Sequence, residues 1–280
     1  MWCIAVHGGA GRIEKPFEGW EQGLAGALDA GQGVLEGGGS ALDAACAAVV
    51  VLEEAPGYNA SRGSVLTSAG TVEMDASVMT HTQDGGAVTV VKTTRNPVLL
   101  ARAVMEHTPH AMLVGDELAL QRGLEQRPND WFITEKRSRA LAKAQGLELD
   151  HGTVGAVALD LQGHCAAATS TGGMTRKLPG RVGDTPVLGA GSWADARCAI
   201  SATGQGEFIL RSLLSRRVAR WYEHHVLAEA ADQALAELSQ LGGTAGLVAV
   251  SSTGQLALPY TTRGMYRGWR SSDGRAGLEV

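Results

Sequence analysis

Residues 152–167, GTVGAVALDLQGHCAA, align without a gap on residues 243–258, GTAGLVAVSSTGQLAL. Each copy is two short apolar runs joined by polar turn residues, such as Asp160 to Gly163 in the first. That pattern predicts a β-hairpin, because the turn brings the flanking runs side by side in antiparallel pairing. Two such hairpins in the second half of one chain demand an antiparallel β framework rather than a chain of strand-helix-strand crossovers.

The rest of the chain supplies further strands and the helices to cover them. Strands are predicted at 2–6, 64–67, 71–77 and 86–92, and helices at about 19–35, 41–54, 97–106, 115–124, 206–221 and 226–240. A closing hairpin is predicted at 245–262. Ser40 reads as the N-cap of the second helix, with Asp43 where a capping-box acid sits. Ala44, Ala45, Ala47, Ala48, Val49, Val50 and Val51 make that helix apolar almost all round, so it is expected between other layers. The stretch 126–152 is polar and poorly patterned and reads as a mobile segment. Strands, then helices, then strands in each half imply an α/β layered sandwich with largely antiparallel sheets.

Glycine is the compositional outlier, with 38 in 280 residues, gathered in HGGAG (7–11), EGGGS (36–40), STGGM (170–174), GAG (189–191) and TGQG (203–206). These follow short apolar runs and precede polar or helical ones, as tight turns and backbone-lined pockets do. The formal net charge of −5 argues against nucleic acid as a partner. In the basic stretch Arg211 to Arg220 the arginines alternate with Leu213, Leu214, Val218 and Trp221, the pattern of a solvated helix face. Cys3, Cys46, Cys165 and Cys198 are widely spaced without a CxxC pair. No apolar run approaches a membrane span, and MWCIAVHGG lacks a secretory leader pattern, so a soluble cytoplasmic protein is expected.

The candidate site starts at Gly152-Thr153. Cleavage between them would give Thr153 both a hydroxyl nucleophile and, in its own freed amine, a base. The copy at Gly243-Thr244 warns that Gly-Thr before a hairpin can equally be a strand start. Context favours chemistry. Arg181 and Asp184 lie three residues apart in a glycine-rich turn, and suit the carboxylate and ammonium of an amino acid, the alternative being a local salt bridge. In SATGQGEF, Thr203 offers a hydroxyl and the glycines give backbone amides room to act as an oxyanion hole. Asn59, in LEEAPGYNASRGSVL, and the HGGAG loop can line the same cavity. GAGSWA and GQGEFI do not fit a dinucleotide fingerprint, since the run before Gly189 is short and begins with proline. His107 with His110 and Glu106, or His224-His225, makes no catalytic metal site at sensible spacing.

In VHGGAG, LEEAPGYNA with EMDAS, HGTVGAVALD, TSTGGMTRKLPGRVGDTP, TGQGE and ALPYTTRGMYRG, the chain closely resembles the plant-type L-asparaginases and isoaspartyl peptidases, which are N-terminal nucleophile hydrolases. The resemblance covers nearly the whole chain. It implies a single αββα sandwich domain, autocatalytic cleavage into an α subunit of residues 1–152 and a β subunit of residues 153–280, and a homodimer of such pairs. It implies the hydrolysis of L-asparagine and β-aspartyl dipeptides, with no catalytic cofactor. Thr153 would be the nucleophile, Thr171 its hydrogen-bond partner, and Thr203 with Gly204 the oxyanion hole. Arg181 and Gly206 would hold the substrate carboxylate, Asp184 the ammonium, and Asn59 would lie near the Thr153 amine. His151 is not assigned as the base. A structural sodium ion would be held by backbone carbonyls of Leu52, Glu53, Asn59 and Ser61, where Ser61 and Arg62 depart from the family's usual glycine. Glycosylasparaginase activity, or an uncut and non-catalytic member, are the alternatives. The intact set of Thr153, Thr171, Arg181 and Asp184 speaks against the second, and TSTGGMTRKLPGRVGD favours the asparaginase branch over the first.

Overall fold

The chain opens with strand β1 (Cys3–Gly11) and helices α1 (Trp20–Glu36) and α2 (Ala41–Glu54). Strands β2 (Met74–Thr80) and β3 (Gly85–Val91), helix α3 (Pro97–His107), strand β4 (Met112–Val114) and helices α4 (Glu117–Gln121) and α5 (Glu135–Lys143) follow. Strands β5 (Val154–Leu159), β6 (Cys165–Thr171), β7 (Ser192–Ala194) and β8 (Cys198–Gly204) come next, then helices α6 (Gly206–Ser212), α7 (Leu214–Trp221) and α8 (Leu227–Gln240). The chain ends with β9 (Ala245–Ser251), β10 (Leu256–Ala257), β11 (Gly264–Ser271) and β12 (Ala276–Glu279). This is a computed structural model, and it describes residues 1–144 and 152–280.

The fold is mixed α/β with two sheets. The larger runs β12-β11-β1-β5-β6-β2-β3-β4, and the smaller runs β10-β9-β8-β7. Among the described residues only β3 and β4 pair in parallel within these sheets, so the antiparallel expectation holds. β5 and β6 form the first predicted hairpin and sit in the middle of the larger sheet. β9 and β10 form the second, with a return strand of two residues.

Three apolar clusters hold these elements together. One joins Leu24, Leu28, Val49, Leu52 and Val104 of α1 to α3 with Val154 of the larger sheet. A second joins Ile209, Val218 and Leu235 of α6 to α8 with Ile200 and Leu247 of the smaller sheet. A third draws small side chains from both sheets, among them Ala5, Val157, Ala167, Ala199 and Val248. Neighbouring residues of one strand join different clusters, as Ala156 and Val157 do, which means both faces of the strand are covered. This explains why β5 and β8 read as unbroken runs of small or apolar residues without alternation.

The capping box on α2 forms as predicted: the Asp43 amide donates to Ser40 Oγ at 3.1 Å, and Asp43 Oδ2 accepts from the Ser40 amide. Four other expectations fail. Residues 64–67 form no strand, only one bridge from Thr67 to Lys177, and the next strand starts at Met74 rather than 71. Thr67 and Thr71 instead close a turn through backbone and hydroxyl bonds. The predicted helix 206–221 breaks at Leu213, which takes the left-handed conformation (φ 49°), because the amides of Ser215 and Arg216 donate to the carbonyls of Ala190 and Gly189. Part of the stretch 126–152 is regular, with a 3-10 turn at Asn129–Phe132 and α5. That segment is anchored, since the Gly63 amide donates to the Phe132 carbonyl and Arg137 Nε donates to the Gly63 carbonyl at 2.6 Å. Residues 145–151, including His151, lie outside the described residues.

Candidate active site

Thr153 lies immediately before β5, and Thr171 ends the adjacent strand β6, where Val154 pairs with Ser170. This register brings two buried threonines together, with Thr153 Oγ1 donating to Thr171 Oγ1 at 3.2 Å. Thr171 Oγ1 donates to the Gly152 carbonyl at 3.0 Å and accepts from the Gly173 amide at 2.9 Å. Asn59 Nδ2 also donates to the Gly152 carbonyl, at 2.5 Å, and to the Gly173 carbonyl at 2.7 Å. Two donors therefore polarise the carbonyl next to the Thr153 hydroxyl. Asn59 itself is fixed, because its Oδ1 accepts from the Val65 amide and its carbonyl from the Gly172 amide.

The glycine loop after β1 closes the other side. Gly9 has φ +111°, at a bulge in the β1–β11 register, and a Cβ there would lie 2.9 Å from Gly152 Cα and 3.3 Å from the Thr153 nitrogen. Only glycine lets this loop touch the Gly152-Thr153 bond so closely. Next to it, the Ala10 amide donates to Thr203 Oγ1 at 3.2 Å. Thr203 thus keeps its hydroxyl proton to donate elsewhere. Gly204, at φ +138°, ends β8 where a Cβ would strike Ala245 Cα at 2.6 Å. A cavity of about 180 Å³ opens beside this group, lined in part by Gly9, Asn59, Lys136, Arg137 and Gly152.

Arg181 and Asp184 meet across Gly206. A Cβ on Gly206 would lie 2.8 Å from both Arg181 Nη2 and Asp184 Oδ1, so the missing side chain leaves a gap between a cation and a carboxylate. No salt bridge joins the two: Arg181 pairs with Glu207, through Nε at 2.9 Å and Nη2 at 2.8 Å, a partner the sequence did not suggest. Asp184 is buried, and its Oδ2 accepts no hydrogen bond from the described residues. Burial pushes its carboxyl up to about 7; Arg181 pulls the other way, while Glu207 and Asp75 add to the rise. Gly173 links the two halves of the site, since a Cβ there would lie 2.8 Å from Lys177 Nζ and 3.3 Å from Arg181 Nη1. Lys177 is buried and donates to the Glu73 carbonyl at 2.6 Å.

Sequence reasoning missed the polar chain beneath Thr153. His7 Nδ1 bonds the Thr153 carbonyl at 2.9 Å, His7 Nε2 bonds Ser201 Oγ at 2.8 Å, and Ser201 Oγ bonds Thr169 Oγ1 at 2.7 Å. Burial drives the His7 pKa down to about 3, only partly opposed by the Thr153 carbonyl, so the ring is neutral. The signal lies in HGGAG, where a histidine directly precedes the glycines. It also missed the Glu53 side chain, whose Oε1 accepts from Ser170 Oγ at 2.6 Å and from the Val98 amide, and whose Oε2 accepts from Asn96. Burial pushes the Glu53 carboxyl up to about 8 against the pull of these donors. The basic stretch is less uniformly solvated than predicted, because Arg216 stacks on Trp193 and Arg217 pairs with Glu237.

A family model described as asparaginase matches residues 1–278. The chain belongs to the asparaginase family. It is similar to the isoaspartyl peptidase of Escherichia coli (strain K12), 46% identical over 294 aligned positions that cover 95% of this chain and 92% of the relative. It is also similar to the isoaspartyl peptidase/L-asparaginase of Homo sapiens, 43% identical over 279 positions that cover 94% and 91%. This asparaginase-family chain is a hydrolase enzyme. Among the described residues no helix is long and apolar enough to cross a membrane, and no group of three or more His, Cys, Asp or Glu could hold a metal.

Proposed function

We propose that the chain cuts itself between Gly152 and Thr153, and that the freed Thr153 then hydrolyses L-asparagine and β-aspartyl dipeptides. The observation that carries this reading is the Thr153 hydroxyl bonded to Thr171, which with Asn59 also holds the Gly152 carbonyl. The Thr153 oxygen attacks that carbonyl carbon, the C–N bond breaks as the nitrogen takes up a proton, and an ester forms. Water cleaves the ester, giving α (1–152) and β (153–280) subunits and a free amine whose ordinary pKa is about 7.7–8.0. A substantial neutral fraction near pH 7 can accept the Thr153 hydroxyl proton in the second reaction.

For the substrate, the gap across Gly206 supports a head-group site in which Arg181 takes the α-carboxylate and Asp184 the ammonium. Thr153 attacks the side-chain amide, and Thr203 with the Gly204 amide donates to the oxyanion. A β-aspartyl ester forms as ammonia or an amino acid leaves, and water releases aspartate. Incubation with both substrates tests this. We expect ammonia from L-asparagine and free aspartate from a β-aspartyl dipeptide; neither product would end the substrate claim.

The three separate apolar clusters support a four-layer αββα arrangement. The last turn of α2 and the loop after it suit a hard monovalent cation, which prefers oxygen ligands. The carbonyls of Leu52, Asn59 and Ser61 each accept one amide and retain a second lone pair, and Ser61 is held at φ 44° with its hydroxyl on the Arg95 carbonyl. With the Glu53 carbonyl, these would hold a sodium ion that stiffens the loop carrying Asn59 and takes no part in the chemistry. Four buried, unpaired cysteines agree with a reducing, cytoplasmic setting. The family resemblance supports a homodimer of αβ units.

A further inference from the structure

We propose that His7 is a positioning residue for Thr153, donating Nδ1–H to the Thr153 carbonyl while Ser201 and Thr169 hold the ring through Nε2. The inference rests on the reading of Thr153 as nucleophile. A carbonyl oxygen only accepts, so His7 Nδ1 must carry the proton toward Thr153. A neutral imidazole has one N–H, so Nε2 accepts and the Ser201 hydroxyl must donate to it. Ser201 Oγ then accepts from the Thr169 hydroxyl. Every proton in the chain is thereby assigned, and it points one way, toward the backbone of Thr153.

The path exists because of a glycine. His7 pairs with Gly155 across β1 and β5, and the imidazole passes over that bare position from the larger sheet to Ser201 on β8 of the smaller one. A Cβ on Gly155 would lie 2.4 Å from His7 Nε2 and 2.0 Å from Ser201 Oγ. Thr169, Ser201 and His7 are all fully buried, where unpaired polar groups are costly. Once the Gly152-Thr153 bond is cut, the backbone of Thr153 is tied to the chain only on its carboxyl side, where the His7 bond sits. Losing that bond lets the hydroxyl and the amine drift, and small misplacements cost large factors in rate.

Three variants separate positioning from space filling. The amide of His7→Asn reaches the place of Nδ1, that of His7→Gln falls one bond further, and His7→Leu has no donor. With activity normalised to the cut fraction, His7→Asn should keep kcat within about tenfold, whereas His7→Gln and His7→Leu should lose about 100-fold, KM staying within about threefold in all. If the His7 variants do not fold, Ser201→Ala and Thr169→Val carry the test, with kcat about 10-fold lower at unchanged KM. Nitrogen-15 NMR of labelled histidine reads the tautomer directly: Nδ1–H in the wild type, with the Nε2 signal shifting in Ser201→Ala as its hydrogen bond is lost. Equal kcat in the Asn, Gln and Leu variants, KM rising in step with the loss, or Nε2–H in the wild type would each overturn the proposal. A wild type that hydrolyses neither substrate sinks the functional reading instead, and the tautomer then decides the positioning claim alone.

Discussion

Thr153→Ala is expected to remain a single chain on a denaturing gel and to hydrolyse neither L-asparagine nor a β-aspartyl dipeptide, with activity down by about 10⁴-fold or more. Alanine removes the hydroxyl that bonds to Thr171 and stands next to the Gly152 carbonyl, leaving that carbonyl's donors Asn59 and Thr171 in place without a nucleophile. The fold should survive, because the residue precedes β5 and its backbone bond to His7 involves only the carbonyl. Thr153→Ser, which keeps the hydroxyl, should still be cut. Two bands from the alanine variant would assign the cleavage to another residue.

Asp184→Asn should raise KM for both substrates by about 100-fold while making the free protein more stable above neutral pH. Burial lifts the Asp184 carboxyl from 3.8 to about 7 in the folded state, while the unfolded chain ionises near the ordinary value. Above pH 7 both states are ionised and the folded state bears the whole cost of the buried charge. As pH falls from 7 toward 3.8 the folded state takes up a proton before the unfolded one does, so the cost fades. Removing the charge should therefore stabilise at pH 8 by on the order of 2–4 kcal/mol, visible as a higher Tm, with little gain at pH 4. In the wild type, protonation of Asp184 below pH 7 should raise KM, since only the carboxylate can pair with a substrate ammonium. An Asp184→Asn enzyme with unchanged KM would remove Asp184 from the binding site.

What was legible in the sequence follows the range of the interactions involved. The α2 capping box and the β5–β6 hairpin depend on residues a few positions apart, and both appear as read. The pairing of β1 with β11 joins opposite ends of the chain, and no local pattern announces it. No strand is predicted over β8, because burial on both faces erases the polar alternation that marks one. In the candidate site, Arg181, Asp184 and Gly206 were chosen on chemistry and do come together, but the Arg181–Glu207 pair depends on how α6 meets the 181–184 turn. His7, Ser201 and Thr169 come from three strands of two sheets, so their convergence under Thr153 exists only once the fold is formed.

Intact mass measurement of the purified protein tests the central claim most directly. Two fragments, one beginning at Met1 and ending at Gly152 and the other beginning at Thr153, are the predicted result. A single uncut chain that nonetheless hydrolyses L-asparagine, or fragments that begin elsewhere, would contradict it.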